Sequence, residues 1–556
     1  MTMGLNTQNL LHLSAENFSA LLKSISGEKI LILDSGILKP LDKIMGMSLL
    51  REAGVKTIHR LENVVPASFL NSALQYVFVL FPTIESSSQV SGILAANGLG
   101  NANTSLIYVP KLTRKVSLFL EEHCVLDLVR LYEFHWEFFP LDSNVWSMLL
   151  PQCAFYEPGV QSDVSNYLML KCLHSVQVLF GKFRKMSAFG AQSSALVQYL
   201  ASKTMEESLS EPPSDQDGAL DHLVVMDRSL DLLPVLLTPL TYEALLHQVF
   251  DVSCGQIELE RPKAGLKNTE RTVIALSNRD KTFASIRYKP FTSIFSFLSS
   301  NARRLKEVQS SAANMNVKEM KDFVQFQLKD LQQQYQSVSM HISASEIIQK
   351  SLGHMSERSI HIENGIVQKE SNIYAKTFAF LQEAIAREFP LPRVKYIISL
   401  LHVCIGGLQS QDISFLKRKI LEGYGYDKAD GVHKFFLYLE SVQVNCVSKH
   451  CIDSQITPKS QIPEGNHPSF VFGGLYQPLI CSLVNRVLNG GVDHTKDPLP
   501  KSVPTTVHTR QSSPVARPNI LVLFLGGFTY AEIAALNAIE RNTGAKIIVA
   551  SDIDIQ

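Results

Sequence analysis

Apolar and polar positions follow two regimes along the chain. In the first regime, short runs that are apolar throughout stand between stretches of helical spacing. "KILILD" (29–34), "YVFVLFP" (76–82) and "SLIYVP" (105–110) are such runs, and Pro40–Gly54 has helical spacing with a glycine stop. Strands buried on both faces read this way, so a parallel sheet covered by helices is predicted, ending near Phe134–Asp142. A second α/β unit follows. It has helices around Val164–Gly181 and Ser193–Ser208, the polar turn "EPPSDQDG" (211–218), a strand His222–Asp227 and a helix Leu240–Phe250. After "ELERPKAG" the second regime begins, and from Phe291 to about Gly423 helical spacing dominates. The C-terminal stretch returns to the first regime with "NILVLFLGG", a helix and "KIIVASDID". A β-α-β piece this small cannot cover a sheet alone. It is therefore assigned to the sheet containing "HLVVMD", which makes the second α/β domain discontinuous and the helical region an insertion. Gly490–Pro518 is polar and proline-rich and reads as a surface loop.

The expected boundaries are 1–137 for the first α/β domain, 138–250 and 466–556 for the split second one, and 251–465 for the mainly helical insertion. Within the insertion a hairpin is expected at about 291–350 and a lower helical part at 351–465.

Composition changes this picture little. The chain has 556 residues, 45% of them hydrophobic, enough for several buried cores. Lys+Arg and Asp+Glu are both 52, so net charge gives no pointer to nucleic acid or an acidic surface. Eight scattered cysteines in so long a chain do not form a disulfide framework. The first residues lack a basic start, a compact apolar core and a cleavage site, and no apolar run is long enough to span a bilayer. A reduced, cytosolic protein that meets membranes only through partners is expected.

Three constellations carry candidate chemistry. "LGGFTYAE" (525–532) sits between a strand and a helix, with Asp552 after the next strand, and imitates a dinucleotide unit. The turn is G-G-F-T-Y-A rather than G-x-G-x-x-G, and no G-x-x-x-x-G-K-[ST] occurs. Gly526 and Gly527 fit a sharp turn, and Thr529 with Glu532 a capping box, so an architectural role is favoured. Asp227, Arg228 and Asp231 follow a buried strand, and Tyr242 and Glu243 open a helix. Without a nucleophile, metal spacing or phosphate loop, they read as a paired structural network. Cys446, His450 and Cys451 do not match zinc spacing, and a reduced thiol pair is expected. No catalytic, cofactor or metal residue is assigned.

The third constellation lies in the insertion. Val317, Met320, Val324, Leu328, Leu331, Tyr335, Val338 and Ile342 recur at three or four residues, a near-heptad stripe. Phe323 and Phe326 lie off that stripe. The preceding helix contains Arg303, Arg304 and Lys306, and "AANMN" makes a turn between the two. A helical hairpin with spare apolar and basic surface suits a partner helix.

Several of these stretches, in order, resemble one family. "LVVMDRSLDLLPVLLTPLTYEALL" resembles the signature of the Sec/Munc (SM) proteins of membrane fusion, and "FLGGFTYAEIAAL" their C-terminal strand and Gly-Gly segment. "PLDKIMGMSLLREAGVKTIHRLEN" and "FPLDSNVWSML" are similar to the class C vacuolar-protein-sorting branch, and the hairpin sequence to that branch's B-type paralogue in animals. The resemblance implies an arch-shaped SM fold: two parallel-sheet α/β domains, the second discontinuous, and a mostly helical insertion. It implies a non-enzymatic factor that binds SNARE helices on the hairpin and promotes their assembly. Arg303, Arg304 and Lys306 would steer acidic SNARE faces, and Met320, Phe323 and Phe326 would supply apolar contact. It further implies an α-solenoid subunit of a class C tethering complex as partner, met near Tyr424 and Tyr426, and a peripheral place on late endosomes or lysosomes. The segment between Ser441 and Pro463 is shorter than the family pattern. Two alternatives stay open: a nucleotide-dependent enzyme using Gly526–Asp552, and a scaffold subunit that does not template SNAREs.

Overall fold

The computed structural model describes residues 7–64, 74–97, 103–150, 163–210, 219–262, 269–311, 328–441, 446–457, 467–489, 499–509 and 517–553. It divides into two compact units. One is Met1–Arg184, Tyr199–Asp221 and Ala550–Ile553; the other is Lys185–Gln198, His222–Val549 and Asp554–Gln556.

The first unit runs α1 (Gln8–Ser24), β1 (Lys29–Leu33), α2 (Ser35–Ile44), β2 (Val55–Arg60), β3 (Gln75–Leu80), α3 (Ile84–Asn97), β4 (Thr104–Tyr108), α4 (Arg114–Glu122) and β5 (Arg130–Glu133). A β6–β7 hairpin (Phe139–Asp142, Val145–Ser147) and α5 (Asp163–Phe180) follow. The five strands β1–β5 form a wholly parallel sheet in the order β2-β1-β3-β4-β5. Phe78, Leu80, Leu106 and Tyr108 pack in one core with Val90 and Leu94 of α3 and Val116 and Leu120 of α4. The apolar-run reading found β1, β3 and β4. It missed β2 and β5, edge strands whose residues are mostly exposed and so carry no apolar run.

The second unit begins with β8 (Lys185–Phe189) and the start of α6 (Ala191–Ser210), then β9 (His222–Asp227) and α7 (Tyr242–Val249). A hairpin β10–β11 (Gln256–Pro262, Thr269–Ala275) leads to α8 (Lys281–Ile286), α9 (Ile294–Ser311) and α10 (Leu328–Ser351). Among the described residues the insertion continues with α11 (His354–Val367), α12 (Ile373–Ala386), α13 (Leu391–Ile405), α14 (Ser410–Tyr424), α15 (Ala429–Ser441) and α16 (Cys446–Gln455). The chain then forms α17 (Leu479–Leu488), β12 (Thr505–Thr509), β13 (Asn519–Leu525), α18 (Tyr530–Thr543) and β14 (Lys546–Ser551). Here the strand order is β12-β8-β9-β13-β14. β9 and β13 pair in parallel, with Val224 opposite Val522, although all of α9 to α17 lies between them in sequence. The second sheet is therefore discontinuous, as the sequence pattern predicted.

One expectation needs correction, and one hairpin went unread. The stretch read as a proline-rich loop contains β12, which pairs antiparallel with β8. Its TTVHT alternates exposed and half-buried positions and is rich in β-branched residues, while Pro504 stays outside it. Between Val249 and the helical region lies the β10–β11 hairpin, whose strands were not predicted. Ile257, Leu259 and Ile274 of β10 and β11 enter the core with α7, α9 and α10, and charged alternate positions hid the strands.

Candidate functional site

Each member of the acidic constellation has its own partner. Asp227, at the end of β9, accepts hydrogen bonds from the amides of Gln192 (3.0 Å) and Ser193 (2.8 Å) and so caps the start of α6. Arg228 reaches the other way, with Nη1 and Nη2 2.9 and 2.8 Å from the two Glu532 carboxylate oxygens. Its Nε and Nη2 donate to the Gly527 carbonyl at 3.1 and 2.9 Å, and Phe524 lies under its plane. Gly526 and Gly527 have φ of +99° and +91°, and a Cβ on Gly526 would lie 3.0 Å from the Arg228 Cβ. Glu532 also closes a capping box with Thr529. The N-terminus of α18 thus holds its own carboxylate and that carboxylate's arginine, where a dinucleotide unit would present free amides to phosphate. Asp231 accepts from the Tyr476 hydroxyl (2.6 Å) and the Leu479 amide (2.9 Å). Burial, then the negative charge of Glu532, raises its carboxyl to about 6.

Glu243 on α7 is paired with Arg287, at 2.9 Å to Nε and 2.6 Å to Nη2, both side chains being buried. On the same helix His247 stacks on Tyr530, with ring centroids 3.4 Å apart. Burial, then the Arg287 charge, lowers His247 to about 3. An unfolded histidine takes a proton near pH 6.5, while the folded one stays neutral. Stability contributed by His247 is therefore present above 6.5 and lost as pH falls toward 3. Replacing His247 by phenylalanine should flatten this arm. Urea denaturation at pH 7.5 and pH 5 should show wild type losing about 2 kcal/mol more than the variant between the two. Equal losses would remove His247 as the source.

The hairpin region is built from α9 and α10, which pack on each other. Leu298 and Leu305 of α9 and Val338, Ala344 and Ile348 of α10 enter one core. Arg303, Arg304 and Lys306 are exposed on α9. On α10 most of the stripe read from the sequence packs into that core: Val338 is buried and Leu331 and Ile342 are partly buried against it, while Tyr335 is 46% exposed. Ile347 is also exposed. The buried face carries polar residues as well, namely Ser337, His341 and Ser345. Ser337 donates to Asp280, which also caps α8 through the amides of Thr282 (2.8 Å) and Phe283 (3.2 Å). Sequence reading missed Asp280 and His341; a histidine at the centre of an apolar helical face was the available signal. Met320, Phe323 and Phe326, with Val317, Val324 and the turn "AANMN", lie outside the described residues.

In the lower helices, Tyr424 is half-buried and its hydroxyl donates to the Phe389 carbonyl, while Tyr426 is 71% exposed. Leu437 and Tyr438 on α15 are exposed too, and were not singled out from the sequence. The run "FFLYL" (435–439) was the sign, since helical geometry cannot turn five consecutive apolar residues to one side. Among the described residues no group of acids, histidines and cysteines is arranged to hold a metal ion, and no helix is long and apolar enough to cross a membrane.

The Sec1 family pattern matches residues 29–553. The chain belongs to the Sec1 family. It is 26% identical over 591 aligned residues to human vacuolar protein sorting-associated protein 33B, covering 97% of this chain and 94% of that one. It is 24% identical over 571 residues to the vacuolar protein-sorting-associated protein 33 homolog of Arabidopsis thaliana, again covering 97% and 94%. Among solved structures it is similar to the Unc18–syntaxin 1 complex from Monosiga brevicollis, with a TM-score of 0.59, 15% identity and 98% and 97% coverage. It is similar also to the SM protein Vps45 in complex with the Qa SNARE Tlg2, with a TM-score of 0.59, 16% identity and 98% and 96% coverage. These structural likenesses establish the Sec1-type fold over nearly the whole chain, and the relatives carry the vacuolar-sorting name.

Proposed function

We propose that this Sec1-family chain is an SM factor that binds SNARE helices on the α9–α10 hairpin and promotes their assembly in endosome–lysosome traffic. The observation that carries the reading is the hairpin's outer surface. Arg303, Arg304 and Lys306 point to solvent around a buried Leu305, with Tyr335 and Ile347 exposed on the adjoining helix. The similar structures are complexes with syntaxin 1 and with the Qa SNARE Tlg2, which supports a SNARE as the partner. Clustered cations steer an acidic face, and apolar contacts hold it. A helix held along a rigid hairpin has fewer conformations to lose when the SNARE bundle starts to form, so the entropic cost is met before zippering. Met320, Phe323 and Phe326 remain our choice for further apolar contact.

In the same reading an α-solenoid subunit of a class C tethering complex docks on the lower helices near Tyr424 and Tyr426, joined by Leu437 and Tyr438. That partner brings the chain to the late endosomal or lysosomal membrane. No catalytic step is assigned to it.

The test is calorimetry of the full chain with soluble SNARE-motif peptides of endosomal and lysosomal type. Reversing Arg303→Glu and Arg304→Glu together should weaken binding about tenfold and reduce its salt dependence, with unchanged unfolding. Unchanged affinity would remove these residues from the reading. No binding by the well-folded wild type would favour a scaffold subunit.

A further inference from the structure

Residues of three elements meet at the buried face of α10. His341 is fully buried, and its Nδ1 lies 2.9 Å from the Tyr242 hydroxyl of α7. Its Nε2 lies 3.4 Å from Oδ2 of Asp280, the cap of α8. The ring stacks on Phe283 of α8 and meets Tyr242 edge-on. Tyr242 is itself fully buried, so its hydroxyl has little recourse to water. Asp280 is an acceptor: burial opposes its ionisation, but hydrogen bonds from His341 and Ser337 prevail and hold it at about 2. A carboxylate can only accept, so the proton between Asp280 and His341 belongs on Nε2. In the neutral imidazole Nδ1 is then the acceptor, and Tyr242 donates to it. Ser345, one turn further on, donates to the His341 carbonyl at 2.7 Å.

We infer that His341, held in one tautomer by Asp280, is the positioning residue that seats α10 on α7 and α8, and thereby sets the attitude of the hairpin's binding face. The chain of donors runs Tyr242 to His341 to Asp280, and each link fixes the next. Tertiary packing alone does not require a polar seam here, since the surrounding core of Ile286, Ile294, Leu298 and Val338 is aliphatic. A seam with directed hydrogen bonds selects one rotation of α10 about its axis, where aliphatic contacts would accept several. The consequence for SNARE affinity rests on the function proposed above; the seating itself does not.

The test is hydrogen exchange of the full chain, read separately on the α10 amides and on α18, beside SNARE-peptide affinity. Tyr242→Phe removes one hydroxyl. Asp280→Asn keeps a helix-capping side chain and an acceptor for Ser337, but offers no carboxylate to order the imidazole. Each should speed exchange in α10 about tenfold, leave α18 unchanged, and weaken SNARE binding by a smaller factor. In a His341→Leu background both changes should lose their effect on α10, because both act through the imidazole. His341→Gln, which can donate from the Nε2 position, should restore part of the protection that His341→Leu removes. Unchanged α10 exchange in Tyr242→Phe and Asp280→Asn, or effects that add in full in the His341→Leu background, would overturn the relay. Faster α10 exchange with no SNARE binding by any form would support the relay and overturn the SNARE reading.

Discussion

Replacing Arg228 by leucine is expected to cost about 3–5 kcal/mol of folding stability, the largest loss from any single side chain discussed above. The reason is what the substitution leaves behind. Glu532 has no exposed side-chain surface and Arg228 only 8%, so the carboxylate has no route to water once its partner is gone. The Gly527 carbonyl loses two donors in the same step, and the Asp231 carbonyl loses one. Asp231, already raised to about 6 by burial and by Glu532, would then sit near a second carboxylate with no cation between them. Urea denaturation of the purified chain is the measurement. The double change Arg228→Met with Glu532→Met should recover much of the loss, because no charge is then buried without a partner. A single change costing under about 1 kcal/mol would show that the pair does not tie β9 to the α18 turn.

Alanine at Gly190 should also unfold the chain readily, by on the order of 3 kcal/mol, although it adds one methyl group. Gly190 has φ +113°, and a Cβ there would stand 2.2 Å from Oδ2 of Asp227. That oxygen cannot give way freely, since it accepts the Gln192 amide while Oδ1 accepts the amide and hydroxyl of Ser193. The methyl group would force out the cap of α6 as well as strain the turn. Asp227→Asn, which keeps an acceptor, should cost clearly less. Thermal unfolding of both variants decides the matter. A Gly190→Ala protein within about 0.5 kcal/mol of wild type would mean that Asp227 does not hold the helix start.

The parts of the fold that could be read from the sequence share a cause. β1, β3, β4, β9 and β13 are covered on both faces, so each carries an unbroken apolar run of three or more residues that is visible in the sequence. β2, β5 and β12 lie at sheet edges, where half or more of each strand faces water. In β10 and β11 the described side chains alternate, with Ile257, Leu259 and Ile274 buried and Glu258 and Val273 exposed, and so short an alternation does not stand out in the sequence. Hairpin helices were legible from spacing, but the polar residues on the face that α10 buries were not. On α10 the core side carries Ser337, His341 and Ser345, whose partners come from α7 and the α8 cap, far off in sequence. Likewise Asp227, Arg228 and Asp231 looked like one site because they are neighbours in the chain. The end of a strand sends successive side chains in different directions, and each found a different helix. Glu243 gave no hint of Arg287, nor Asp231 of Tyr476, because those partners are chosen by tertiary packing alone.

The claim that the α9–α10 hairpin receives a SNARE helix is tested most directly by placing a photoreactive benzoyl-phenylalanine at Tyr335, exposed on α10, and at Val178, 71% exposed on α5, as a control. Irradiation with a SNARE-motif peptide should give a cross-linked product from position 335 and none from 178, and excess unlabelled peptide should abolish it. Cross-links at 178 equal to those at 335, or none at 335 under conditions where the peptide binds, would contradict the account and place the binding face elsewhere on the chain.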